Sequence, residues 1–447
     1  MRFLPTAAVL ACLLPLAAFA GDADAYWNAW RGASDNGVAP GNPPTEWSES
    51  KNIKWKVELP GRSHATPIVW ADRVYVQTAI ETERSAGPSE PPPPEEPEGR
   101  RGRRRPKPTK LYEFALLALD RADGKVVWQK TLREELPHES GHPDATQASN
   151  SPVTDGQHVY AYFGSRGLYC VDMKGNVAWE KDLGDMATRN GFGEGASPCL
   201  YEDTLIVNWD HEGDSFVVAL DKRTGEQRWR RDRDESTSWS TPIVRVANGQ
   251  PQVIVNAEKR IRAYDLKSGE LVWECGGMTT NVIPSPVATD SVAYCMSGFR
   301  GNKVVAVALA GAKGDITGTP AVAWQFDEHT PYVPSPLLYD DRLYFVSNNK
   351  AILTCLDAKT GKPLFGPERL EGLENIYASP VGAGGRVYIV GRNGAAAVLK
   401  LGDTFETLAT NKLDDEFDAS PAVAGDELFL RGTKALYCIA ESGARGG

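Results

Sequence analysis

Short apolar runs bounded by turn residues recur along the whole chain, as in Asp72-Arg-Val-Tyr-Val76, Asp203-Thr-Leu-Ile-Val207, Asp341-Arg-Leu-Tyr-Phe345 and Asp426-Glu-Leu-Phe-Leu430. Runs of this composition predict strands. They follow a Ser or Thr joined to Pro, and that pair occurs eight times: Thr66-Pro67, Ser151-Pro152, Ser197-Pro198, Thr241-Pro242, Ser285-Pro286, Ser335-Pro336, Ser379-Pro380 and Ser420-Pro421. Most successive prolines are 41 to 50 residues apart, a period that belongs to a propeller or solenoid array.

A second strand then ends in Asp, and a turn leads to an aromatic ring. The spacing is Asp120, Gly124, Trp128; Asp221, Gly225, Trp229; and Asp265, Gly269, Trp273. Asp172, Gly175, Trp179 is shorter by one residue, and Asp357, Gly361, Phe365 changes the ring. An Asp that accepts from turn amides, followed by Gly at positive φ, describes a hairpin. The ring is expected to wedge between neighbouring sheets.

The motif, as in Asp221-Lys-Arg-Thr-Gly-Glu-Gln-Arg-Trp229, resembles the pyrroloquinoline-quinone-like β-propeller repeat over roughly residues 50 to 440. Repeats five and seven, Ala308 to Trp324 and Leu399 to Ala409, have lost the Asp and Gly. WD-repeat and kelch signatures do not recur. The resemblance implies a propeller and leaves activity open, because the family holds both quinoprotein dehydrogenases and non-enzymatic propellers, including the scaffold lipoprotein of the outer-membrane β-barrel assembly machinery.

Ring closure follows from the chain ends. Trp55 precedes Pro67 by 12 residues, as Trp324 precedes its next repeat proline, while Pro421 to Glu441 supplies three strands and no tryptophan. Ile53 to Leu59 should therefore complete the last blade and remove an open edge. The expectation is an all-β, eight-bladed propeller of four-stranded antiparallel blades over residues 51–441, closed by that N-terminal strand and preceded by an extension over 21–50.

Residues 1–20 differ in character: Arg2, an apolar core and the small-x-small end Ala18-Phe19-Ala20 read as a secretory signal cleaved after Ala20. Val9-Leu-Ala-Cys12 only loosely resembles a lipoprotein cleavage site. The apolar run is too short to span a membrane. Export and a net charge of −10 point to a periplasmic or extracellular protein with no affinity for nucleic acid, expected to be a monomer. Of seven cysteines, Cys170, Cys355 and Cys438 occupy equivalent third-strand positions too far apart to pair; free buried thiols are the leading reading, with Cys275 and Cys295, in adjacent blades, the alternative bridge.

Two insertions break the period. Residues 81–110 carry Pro91 to Pro94, acidic residues and a run of arginines from Arg100 to Arg105, and with no apolar periodicity they are expected to be disordered, either simply solvated or a tether to an anionic surface. Thr131 to Gln147 contains His138, His142 and Asp144, a pair of histidines without the helix that would align them for zinc.

In a propeller the first strand of each blade lines the channel, and the loop before it shares a face with the loop between strands two and three. Three residues before each repeat Pro lie His64, Ser149, Gly195, Trp239, Ile283, Val333, Tyr377 and Asp418. Of these, His64, Trp239, Tyr377 and Asp418 are the candidate ligand contacts. The Ser or Thr next to each Pro is expected to cap the neighbouring blade's backbone. The loop between strands two and three carries Arg166, Lys259, Arg300, Lys350, Arg392 and Lys434, either ordinary hairpin residues or a rim for an anionic polysaccharide or surface, in which Arg166, Arg300, Lys350 and Arg392 would act together. Asp210, Glu212 and Asp214 are weak calcium candidates, competing with plain charged turns.

The quinoprotein branch implies a vicinal Cys pair above pyrroloquinoline quinone, a tryptophan floor and a calcium near a catalytic Asp. Here no cysteines are adjacent, and no Gly-x-Ser-x-Gly, His-Glu-x-x-His or phosphate loop occurs. The chain thus reads as a binding or scaffold propeller for a protein or polysaccharide, with no cofactor expected; a quinone- and calcium-dependent oxidoreductase and a structural role in outer-membrane assembly are the alternatives.

Overall fold

The computed structural model describes residues 25–85, 108–347 and 350–441; residues 1–20, read above as a secretory signal, and most of the arginine-rich insertion lie outside the described residues. The chain forms eight sheets, each built on four antiparallel strands that follow one another along the chain, save that the last takes its outer strand from the N-terminus. Blade one, for example, runs Ile68–Trp70, Arg73–Ser85, Lys110–Asp120 and Val126–Glu135. Blade four gains a short parallel strand, Gly314–Asp315, beside Leu271–Gly276. First strands of neighbouring blades touch, so they form the inner wall of a ring. Among the described residues no helix is long and apolar enough to cross a membrane.

The outer position of blade eight is filled from the N-terminus. Ile53–Glu58 pairs antiparallel with Ala435–Ile439, with Trp55 opposite Cys438. Trp55 is buried, and its indole N–H donates to Arg121 O of blade one at 2.9 Å. The same link runs from Trp229 to Leu266 O at 2.8 Å and from Trp179 to Lys222 O at 3.0 Å. Each of these bonds crosses to the following blade.

The repeat glycine belongs to the same joint. At Gly269 (φ +70°) an added Cβ would lie 2.5 Å from Trp229 of the preceding blade, so the position excludes a side chain as well as demanding a left-handed backbone. Gly225 and Gly361 meet Trp179 and Trp324 in the same way. Trp229→Ala should therefore open a cavity at a blade interface and lower stability by about 3–5 kcal/mol, read from urea denaturation. Trp30→Ala, at a half-buried residue outside the blades, should cost less by the same measurement.

Blade seven shows how the loss of a ring is made good. In blades one, two, five and six the fourth-strand ring packs on a second-strand Tyr, as Trp128 does on Tyr75 at 6.1 Å between centroids. Blade seven has Ala409 in that strand, opposite Val398. Its Tyr388 is instead stacked by Trp47 of the N-terminal segment, 6.4 Å away, and Trp47 is buried. Asn411 holds the segment by accepting from Trp47 N at 2.8 Å and donating to Thr45 O at 3.0 Å.

One sequence expectation changes here, and two pairs of alternatives are decided. The ends of the 81–110 insertion are strand, since Ser85 pairs with Lys110 and Arg84 bridges Glu113 and Glu134. Cys275 and Cys295 pack in one apolar cluster but remain thiols, as do all six described cysteines, and burial pushes both thiol pKa values up. Asp210 is not a calcium ligand in waiting: its oxygens lie 2.7 and 3.1 Å from the guanidinium of Arg233, both side chains being fully buried.

Candidate functional site

The Ser and Thr hydroxyls beside the repeat prolines build the collar of the channel. Thr66 N donates to Ser151 Oγ at 2.9 Å, Ser151 N to Ser197 Oγ at 2.9 Å, and the pattern continues to Ser379 N and Ser420 Oγ. Seven such bonds link the eight blades. The Pro that follows has no N–H to leave unpaired, which suits the first residue of an inner strand.

Above this collar, the eight residues three positions before the prolines converge. His64, Ser149, Gly195, Trp239, Ile283, Val333, Tyr377 and Asp418 all line one cavity of about 440 Å³. Its size is within the range of about 300–1,000 Å³ for small-molecule sites. Phe192, Phe299, Tyr332 and Trp30 make the rest of the wall largely aromatic. Trp239 is fixed by donating to Gly193 O at 2.7 Å, and Phe299 and Tyr332 stack at 4.7 Å. Gly195 is small because Trp239 lies against it: a Cβ there would sit 3.3 Å from the indole.

One side of the mouth is polar. Arg392 places Nε 2.7 Å from Asp418 Oδ1 and Nη1 3.1 Å from Asp144 Oδ1, with its guanidinium 4.7 Å from the Tyr377 ring centre. His64 Nε2 stands 3.3 Å from Asp418 Oδ2. Burial pushes Asp418 up to about 6 despite Arg392, and burial together with Arg62, Arg392 and Arg431 takes His64 down to about 3. The imidazole is therefore neutral at physiological pH, and its contact with Asp418 is not an ion pair there.

The cationic rim is reduced by this arrangement. Arg166 is buried, with Nε 3.4 Å from Glu135 and Nη1 3.9 Å from Glu194, and Arg392 is shared between two aspartates. Arg300 and Lys350 remain exposed, as do Lys259 and Lys434, each beside an aspartate. The four cations expected to act together thus split into a paired half and an exposed half.

The insertion, by contrast, enters the site. His142 and Asp144 line the cavity, and the His142 ring meets Phe192 edge-on at 5.1 Å. His138 is elsewhere, 2.7 Å from Met186 O. Glu212 accepts from Thr237 Oγ1 at 2.9 Å and pairs with Arg189, while Asp214 is exposed. Among the described residues no group of three or more His, Cys, Asp or Glu is placed to hold a metal.

Pyrroloquinoline quinone with calcium is a poor match to this donor set. The quinone is a tricarboxylate, among the described residues no arginine lines the cavity, and Arg392 beside it is already divided between Asp144 and Asp418. Those two carboxylates are thereby engaged, and no cysteine lines the wall. No reaction step is derived through the quinone.

The family model described as outer membrane protein assembly factor BamB matches residues 113–366, more than half of the 447. The chain belongs to this family. Among solved structures, BamB from Moraxella catarrhalis is similar with a TM-score of 0.55 and 12% identity, over 86% of this chain and 97% of that one. That likeness is one of fold. No curated protein matches the sequence.

Within the BamB family fold, the site residues that sequence reasoning missed come from outside the repeats. Trp30 lies in the N-terminal extension, and Phe192, Phe299 and Tyr332 lie in blade-top loops of irregular length. Asp144 was legible only as a weak metal candidate. Its role appears once Arg392, from blade seven, is seen to reach it.

Proposed function

We propose that this BamB-family chain is an exported, monomeric binding propeller, without catalysis, that presents its loop face to a polysaccharide and takes part of it into the central funnel. The observation that carries this reading is the convergence of all eight equivalent loop positions on a single aromatic-walled cavity. Aromatic faces offer apolar surface to the flat side of a sugar ring, while His64, Asp418 and Arg392 give an edge of hydrogen-bonding groups. Those polar groups contact one another and leave no nucleophile paired with a free base. Export is supported by the pattern of Met1 to Ala20 and by a family description that names the outer membrane.

The test is retention by affinity electrophoresis on amylose, xylan and polygalacturonate. Trp239→Ala should weaken retention about tenfold, the scale of one lost stacking partner, with an unchanged melting temperature. Retention on polygalacturonate alone, abolished by salt and by Arg300→Glu, would instead assign the ligand to the exposed cations. If none of the three is retained, the polysaccharide reading fails. A protein-scaffold role in outer-membrane protein assembly, favoured by the family match, then takes its place.

A further inference from the structure

The end of the channel opposite the mouth is crossed by the N-terminal extension. Val69 N and Thr154 N donate to Trp27 O and Asn28 O, at 2.7 and 2.9 Å, tying the segment to blades one and two. Arg31 Nη2 donates to Pro336 O and Pro380 O of blades six and seven, at 3.0 and 2.9 Å. Asn36 Nδ2 donates to Ala288 O of blade five at 2.9 Å, and Arg245 of blade four pairs with Asp35 at 3.1 Å. A strap bonded to six inner strands lies across the ring.

Trp30 is where that strap reaches the ligand side. It lines the 440 Å³ funnel together with Ser197, Ser379 and Ser420 of the hydroxyl collar. It also lines a smaller cavity of about 150 Å³ on the far side, bounded by Pro198, Pro242 and Pro286 and by the strap itself. Trp30 therefore stands at the level of the collar, as the partition between the two spaces. The Arg31 guanidinium, 5.9 Å from the Trp30 ring, is anchored on the carbonyls of two blades.

We infer that the funnel is blind and reads the end of a glycan chain, with Trp30 as the floor against which the terminal sugar stacks. This rests on the funnel being the ligand site. A polymer cannot thread a closed channel, and an internal segment lying across the mouth would not reach the collar. Only a chain end or the tip of a side branch can fill the depth between Asp418 and Trp30. Trp30 is accordingly a specificity-determining residue supplied from outside the repeats.

The experiment compares amylose, xylan and polygalacturonate, each intact and after partial acid hydrolysis, which multiplies chain ends at constant mass. For the polysaccharide that binds, the half-saturating mass concentration should fall in proportion to the number of ends created. Half-saturation unchanged by hydrolysis would overturn the inference while leaving the binding function standing. Absence of binding to every probe, intact or hydrolysed, removes the binding function and this inference with it. Trp30→Ala should weaken binding of the hydrolysed probe about tenfold, and Trp30→Phe should restore most of it. Should Trp30→Ala only lower the melting temperature, with end dependence intact, Trp30 is a structural plug and not the floor of the site.

Discussion

Deleting Ala25 to Glu58 should abolish cooperative folding. The deletion removes the fourth strand of blade eight, leaving Ala435–Ile439 as an unpaired, apolar edge. Unpaired edges of this kind template aggregation. It also removes Trp55, whose indole links blade eight to blade one, and Trp47, which supplies the ring missing from blade seven. The strap is lost as well, and with it the guanidinium that satisfies the carbonyls of Pro336 and Pro380. Three blade interfaces and the channel floor are affected together, so the loss should exceed any single substitution. Size-exclusion chromatography and thermal circular dichroism are the readouts. A soluble, monodisperse truncation with the parent's melting temperature would refute N-terminal closure.

Asp210→Ala, at the joint of blades three and four, should be among the most damaging single substitutions, at about 3–5 kcal/mol by urea denaturation. Asp210 and Arg233 are both fully buried, and Ser238 Oγ donates to Asp210 while Arg233 Nη1 donates to Tyr264 Oη at 2.7 Å. Burial works against the charge on Arg233, and Asp210 foremost, with Tyr264 and Glu235, more than offsets it. Removing the aspartate leaves that charge buried with its main partner gone. Replacing both residues, Asp210→Leu with Arg233→Met, should recover most of the loss, since an apolar pair avoids the desolvation of two ions. A loss below about 1 kcal/mol for Asp210→Ala, the range of an exposed pair, together with a calcium-dependent rise in melting temperature, would return Asp210 to the role of a metal ligand.

The amino-acid sequence by itself determined the repeat and its number of blades, because both rest on local signals. The Ser-Pro and Thr-Pro pairs, the strand runs and the Asp–Gly–Trp hairpin are each set within a dozen residues. Closure by Trp55 was legible for the same reason: its spacing to Pro67 copies that of the other repeats. So was the ring of His64, Trp239, Tyr377 and Asp418, since equivalent positions in a closed ring must face one axis. The sequence could not say what happens where residues far apart meet. The repeat glycine is needed as much for the preceding blade's tryptophan as for its own turn, and that neighbour lies some forty residues away. Arg166 and Arg392 carry the same charge at equivalent hairpins as Arg300 and Lys350, yet tertiary contacts placed Glu135, Glu194, Asp144 and Asp418 beside the first pair and left the second exposed. Trp30 and Trp47 belong to no repeat, so no periodicity locates them. Only the folded ring, with a channel to close and a blade lacking its tryptophan, gives each of them a place to pack.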